Sequence, residues 1–267
     1  MTEQSVSRGS GWQPGQYVRY RDERGLPFYD LAGMLQPQPG MRVADLGCGT
    51  GELTMWLHQE LQAAETVGID SSPVMLAESG KYTLPGMRYE QSDILDATNR
   101  YHEEFDLVFS NAALQWILGH DTLFARVAGM VKPGGQLAVQ IPANGRHIGH
   151  QLPAIIAREE PFASALGGWT REDPVREPEF YMDMLYALGF RGQRVRAEWY
   201  TFEMESPRGI VEWVKGSVLS AYREHLPEDL YPKYVEEYER RLLAAMGDSG
   251  PFLYPFKRIL FWGRKPE

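Results

Sequence analysis

The sequence predicts a doubly wound α/β fold around a mostly parallel sheet, and two features predict it. From Arg42 onward short apolar runs ending in glycine or an acid alternate with stretches of helical period. The first such run passes into its helix through a turn holding a glycine at every second position, Gly47, Gly49 and Gly51. Strands alternating with helices imply a parallel sheet covered on both faces.

The elements follow in order. Residues 1–11 are small and polar, and WQPGQYVRYRDERGLPFYDLAGML is rich in aromatics and charge; its latter part spaces Leu26, Tyr29, Asp30, Leu31 and Met34 as one helix would, so residues 1–40 read as an arm and a helix. Val43–Leu46 is the first strand, Glu52–Leu61 a helix and Thr66–Ile69 the second strand, followed by a short helix Pro73–Ser79 opened by Ser71 and Ser72. Met87–Gln91, Phe105–Ser110 and Gln136–Ile141 supply three more strands, with a helix Asp121–Val131 ended by Pro133, Gly134 and Gly135. Residues 41–142 thus form the α/β core. Residues 143–250 break the alternation with a lid-like insertion, a helix closed by Gly189, a strand Gln193–Phe202 and two long amphipathic helices, Pro207–His225 and Pro227–Met246, read as a helical cap. Residues 251–267, with YPFKRILFWGRKP, add a last strand whose broken alternation suits a central or near-central position.

Composition narrows the function. Hydrophobic residues make up 43% of the 267, ample for a sizeable core, and the net charge of -9 repels nucleic-acid phosphates and anionic membrane surfaces, so a small-molecule partner is expected. Cys48 is the single cysteine, and the histidines lack a dense ligand spacing, so no metal is expected. The segment MTEQSVSRGSGWQPG lacks the apolar core of a signal peptide, and no run reaches the ~18 apolar residues of a membrane span; a cytoplasmic location is expected.

The chemistry concentrates at strand ends. Asp45 stands two residues before the first glycine of Val43-Ala44-Asp45-Leu46-Gly47-Cys48-Gly49-Thr50-Gly51. A pyrophosphate is repelled by a carboxylate there, whereas a sulfonium and an ammonium are attracted, so the turn suits S-adenosyl-L-methionine better than a nicotinamide dinucleotide. Asp70, before Ser71 at the end of the second strand, can accept both ribose hydroxyls; Asp93, after the third strand, can accept from an adenine amino group, with Ile94 against the ring. Cys48 sits inside the turn, where a small side chain points to a structural role.

These residues resemble the core motifs of the class I S-adenosylmethionine-dependent methyltransferases, over residues 42–141 in order. The resemblance implies a Rossmann-like seven-stranded sheet whose last strand is antiparallel, with the amino-acid part of the cofactor along Asp45, Gly47 and Gly49, its ribose on Asp70 and its adenine beside Asp93; Cys48, Ser71, Ile94 and Asn111 are further cofactor-binding candidates. WQPGQYVRYRDERGLP, FSNAALQWILGH, LAVQIPANGRHIGH, IVEWVKGSVLSAY and YPFKR extend the similarity across nearly the whole chain to the trans-aconitate 2-methyltransferases, which implies methyl transfer to a carboxylate of a small organic acid. The chain departs from that pattern at Leu26, where the resemblance implies an arginine, and across Gly145-Arg146-His147-Ile148-Gly149.

A carboxylate acceptor is already ionised and needs cations or donors rather than a base. The candidates to contact it are Tyr17, Arg24, Gln115, Trp116, Arg146, His147, His150 and Arg258, with Trp116 and His150 nearest to a catalytic role. Trp12, Tyr17 and Tyr20 are candidates to close over the cofactor. Two other readings stay open. A hydroxyl or amine acceptor would require His120, His147 or His150 as base, and another carrier-linked acid is also compatible. A chain that binds the cofactor without turnover is the reading from another class.

Overall fold

The computed structural model describes residues 25–267. The aromatic arm expected at Trp12, Tyr17, Tyr20 and Arg24 lies outside the described residues.

Seven strands form one sheet in the order β3-β2-β1-β4-β5-β7-β6. These are β1 (Arg42–Leu46), β2 (Glu65–Asp70), β3 (Met87–Gln91), β4 (Phe105–Asn111), β5 (Val131–Pro142), β6 (Arg191–Met204) and β7 (Phe252–Arg264). The first five run parallel, while β7 pairs antiparallel with both β5 and β6, as the resemblance implies. The strand order reverses at β1/β4, the switch point whose carboxyl-end crevice holds ligands in open α/β sheets.

Helices cover the sheet. On one face α1 (Leu26–Ala32) and α2 (Glu52–Glu60) pack Phe28, Tyr29 and Trp56 against Phe109, Leu260 and Trp262. On the other, α4 (Ile94–Arg100), α5 (His120–Gly129) and α8 (Pro178–Ala187) bury Phe124, Tyr181 and Leu185 against Val108, Val139 and Phe261. Alternate β7 residues therefore serve opposite faces, which explains its near-continuous apolar run.

The cap has its own core. It is built from α6 (Ile148–Ile156), α7 (Phe162–Ala165), α9 (Arg208–Lys215), α10 (Val218–His225) and α11 (Tyr231–Met246), whose Ile156, Phe162, Val214, Tyr222, Tyr234 and Tyr238 pack with Tyr200, Tyr254 and Phe256 from the outer halves of β6 and β7.

Several boundaries differ from expectation. The helix expected over Pro73–Ser79 is the single turn α3 (Pro73–Leu76) followed by a 3-10 turn, Ser79–Tyr82. The helix expected over Asp121–Val131 stops at Gly129, and the Pro133-Gly134-Gly135 stretch is an excursion within β5, where the pairing steps from Phe105↔Val131 to Leu107↔Gln136. The single helix expected over Pro207–His225 is broken at Gly216 and Ser217. Helix α6 was not expected, because Pro153 within it reads as a breaker.

Candidate active site

The glycine turn after β1 is built by close approach on two sides and space on the third. Gly47 has φ +78°, and a Cβ there would stand 2.2 Å from the Cβ of Ala113, so this turn is pressed against the one following β4. Gly51, at φ +85°, would place a Cβ 2.5 Å from the Tyr89 hydroxyl. Gly49, at φ +57°, has nothing within 4 Å of where its Cβ would be, and is the face open to a ligand.

Two acids flank that opening. Asp45 is buried, and its Oδ2 accepts the Thr54 hydroxyl at 2.6 Å. Burial pushes its carboxyl up to about 6 against that hydrogen bond, and the Asp70 charge adds to the rise. A cation beside the pair would relieve both the burial cost and the mutual repulsion, so the donor set fits a ligand with a sulfonium and an ammonium. Asp70 accepts Gly49 N–H on Oδ2 and Ser72 N–H on Oδ1, each at 2.8 Å, which aims the carboxylate along the turn with lone pairs to spare.

The outer candidates divide. Ser71 is exposed at the rim, and Asp93 is exposed with Oδ1 accepting Leu95 N–H at 2.7 Å, the ordinary capping role of a strand-end acid. Ile94 is packed into the core. Cys48 is buried, with its thiol pushed upward by burial and by the charges of Asp45 and Asp70, so no nucleophile forms there. Val74 and Met75, exposed by 78% and 48% beside Ser72, are apolar surface on the same rim that the sequence reading missed.

Across Ala112 from the glycine turn lies a cavity of about 220 Å³. Gln115 and Trp116 line it after β4, Asn144 and His150 after β5, and Arg258 from β7, while Arg171 of the insertion closes the far wall. The Gln115 amide is fixed by donating Nε2 to Ala112 O at 2.7 Å. Asn111, at the end of β4, keeps a buried Oδ1 without a partner. Trp116 is 54% exposed at the cavity mouth with the Arg171 guanidinium over its ring, 5.6 Å from the centroid, and is therefore a wall residue and not core.

The cavity is cationic. Arg258 lies over the Phe256 ring, its buried Nε has no hydrogen-bond partner, and burial lowers its pKa to about 9, so it stays charged at neutral pH. Neither Arg258 nor Arg171 has a carboxylate within salt-bridge distance among the described residues, whereas Arg42, Arg88, Arg208 and Arg241 are all so paired. His150 meets the Tyr254 hydroxyl at 3.1 Å through Nε2; burial, then His147, Arg171 and Arg258, lower its pKa to about 4. Asp173 also lines the wall, with Oδ1 accepting Val175 N–H at 3.1 Å.

The structure brings four of the expected acceptor residues together, Gln115, Trp116, His150 and Arg258, and leaves two outside. Arg146 points to solvent, its side chain 81% exposed and paired with Glu177 at 2.6 Å. His147 turns back to cap α6, its Nδ1 accepting Gly149 N–H at 3.1 Å, and packs edge-on to Tyr254. Helix α6 starts at Ile148 and makes His147 its cap, which the sequence reading did not foresee. His120 is a core residue between the Tyr181 hydroxyl and Leu114 O. Tyr17 and Arg24 lie outside the described residues. Arg171, Asn144 and Trp213 were missed; Arg171 carries no local signal, but Asn144 follows the Gln-Ile-Pro segment at a strand's carboxyl end and was findable.

A family model described as a methyltransferase domain matches residues 43–135. The chain is 38% identical over 262 residues to a trans-aconitate 2-methyltransferase of Deinococcus radiodurans, covering 96% of this chain and 99% of that one. It is 37% identical over 258 residues to the protein of the same name from Variovorax paradoxus, covering 95% and 98%. In fold it is similar to a methyltransferase from Bacillus halodurans, with TM-score 0.60, 14% identity and coverage of 89% of this chain and 98% of that one. A second likeness is to phosphoethanolamine N-methyltransferase 2 of Haemonchus contortus in complex with S-adenosyl-L-methionine, with TM-score 0.52 and 20% identity over 91% of this chain, which spans about half (53%) of that one.

Proposed function

The chain belongs to the class I S-adenosylmethionine-dependent methyltransferases, and from that premise we propose that it methylates a carboxylate of a small polyanionic acid, with trans-aconitate as the acceptor. The observation that carries this reading is the pair Arg171 and Arg258, two cations without carboxylate partners among the described residues, lining a cavity beside the cofactor turn in a chain of net charge -9. The name shared by relatives at 38% and 37% identity supports the choice of acid.

When bound, S-adenosyl-L-methionine supplies an electrophilic methyl group on a positively charged sulfur. Asp45 and the open face of Gly49 would hold its amino-acid part, Asp70 its ribose hydroxyls, and the rim of Ser71, Met75 and Asp93 its adenine. Arg258 and Arg171 would hold the carboxylates that do not react and so orient the one that does toward the cofactor turn. The Ala112–Ala113 turn packs on Gly47 through Ala113 and lines the cavity through Ala112, so the two sites adjoin along it. The nucleophile is an anion at neutral pH, so no proton has to move. The oxygen–methyl bond would form as the sulfur–methyl bond breaks, leaving a neutral ester and a neutral thioether, and a closed, water-poor site favours this loss of charge. A hydroxyl or amine acceptor would need a base, and His150, with its pKa lowered to about 4, is a poor one.

The test is transfer of labelled methyl from S-adenosyl-L-methionine to trans-aconitate, with cis-aconitate, isocitrate and citrate as comparators. Turnover of trans-aconitate well above the others, lost in Asp70→Ala together with cofactor binding, is the expected result. Cofactor binding without turnover of any of these acids would reject the acceptor.

A further inference from the structure

The amide of Asn144 has one permitted orientation. Its Nδ2 lies 3.1 Å from Pro255 O, which can only accept, so the nitrogen and not the oxygen must face that way. The second Nδ2 proton then points at the Tyr254 hydroxyl, 3.2 Å away, and is accepted there. Tyr254 is fully buried, so its own proton needs a partner, and among the described residues the other polar atom within reach is His150 Nε2 at 3.1 Å. A carbonyl, an amide and a phenol thus relay one donor direction to the imidazole. If Nε2 accepts, the ring of a neutral histidine carries its proton on Nδ1. Nδ1 makes no hydrogen bond to the described residues, and His150 lines the acceptor cavity.

We propose that Asn144 and Tyr254 are positioning residues that lock His150 in the Nδ1–H tautomer, so that it serves as a neutral hydrogen-bond donor to the acceptor acid. The inference rests on the acceptor reading above for the identity of the acid, but not for the lock itself. The groups facing the ring agree with a neutral state: Arg171 and Arg258 repel a second proton, His147 adds to that, and Asp173, the acid on the wall, is exposed and turned onto Val175 N–H. The arrangement separates two tasks. The arginines supply charge, and His150 supplies direction, which distinguishes acids of equal charge and different shape.

The experiment is a long-range nitrogen–proton correlation spectrum of the imidazole rings in the full chain with S-adenosylhomocysteine, assigned by loss of one ring pattern in His150→Asn. The expected pattern for His150 is a protonated Nδ1 and a bare Nε2, an Nδ1–H resonance that moves when trans-aconitate is added, and loss of the fixed pattern in Tyr254→Phe with cofactor affinity unchanged. In turnover, His150→Asn, whose amide nitrogen sits near the place of Nδ1, keeps KM for trans-aconitate within about threefold, whereas His150→Gln, which mimics Nε2, raises it about tenfold or more. A protonated Nε2 in the wild type, or His150→Gln outperforming His150→Asn, would overturn the proposal. Absence of turnover with every acid would reject the acceptor instead, and the spectrum would still decide the lock.

Discussion

On the proposed assignment of Asp45 to the cofactor site, its titration couples cofactor binding to pH. With its carboxyl raised to about 6, the folded chain holds a proton between about 4 and 6 that the unfolded chain has released, so stability without cofactor falls as pH rises through that window. Above about 6 the ionised acid is a standing cost of about 3 kcal/mol that an ammonium bound beside it would offset. Affinity for S-adenosyl-L-methionine should therefore drop up to about tenfold per pH unit below 6, measurable by titration calorimetry. Asp45→Asn should raise the melting temperature without cofactor at pH 7.5 while weakening cofactor binding at least tenfold, and a variant that binds as well as the wild type would remove Asp45 from the site. At this scale the sequence was most legible where chemistry and strand end coincide: Asp45, Asp70 and the three glycines are read from one contiguous motif and its neighbour. Arg171 was illegible, since an arginine in a loop is ordinarily solvated and its lack of a carboxylate partner among the described residues is a property of three dimensions. His147 misled for the converse reason, because a histidine near a strand end reads the same whether it faces a cavity or caps a helix.

Helix α6 shows how an element that breaks a sequence rule is kept. Pro153 has no N–H for the carbonyl of Gly149, and the Tyr238 hydroxyl donates to that oxygen instead at 2.8 Å, while Tyr234 donates to Pro153 O at 2.5 Å. Tyr238→Phe should leave a buried carbonyl unpaired and cost about 1–3 kcal/mol in a denaturant titration, with a weaker affinity for the acid because His150 follows Gly149 directly. A loss under about 0.5 kcal/mol would show that the helix does not depend on this bond. At the junction of β1 and α2, Gly47→Ala would force a methyl to 2.2 Å from Ala113 Cβ at φ +78° and should abolish cofactor binding. The parallel strands were legible from their apolar runs, and so was α8, whose end Gly189 marks at φ +88°. Helix α4 escaped, because Asp93 was weighed as a ligand and its capping role marks the helix start. The break at Gly216 and Ser217 escaped because the amphipathic period continues across it.

The antiparallel pair β6–β7 joins the two halves of the molecule. The outer part of β7 puts Tyr254 and Phe256 into the cap core, and the inner part puts Ile259, Leu260, Phe261 and Trp262 into the cores on both faces of the sheet. Cap and sheet share a strand, so calorimetry should show one cooperative transition, and Phe256→Ala, a truncation in the cap, should lower stability by about 3–5 kcal/mol without splitting it. Two resolved transitions would mean that the cap unfolds independently. The cavity proposed for the acceptor lies at this same joint, with one wall from strand ends and one from the insertion and cap, which is why the contiguous glycine turn is more legible in the sequence than the cavity lining. The decisive measurement is kcat/KM for trans-aconitate in the wild type and in Arg258→Met, which keeps length and removes charge. The account predicts efficient methylation by the wild type and a loss of about 30-fold or more in the variant, carried mainly by KM, with cofactor affinity intact. An Arg258→Met enzyme with wild-type KM, or a wild type that binds cofactor and methylates no polycarboxylate, would contradict it.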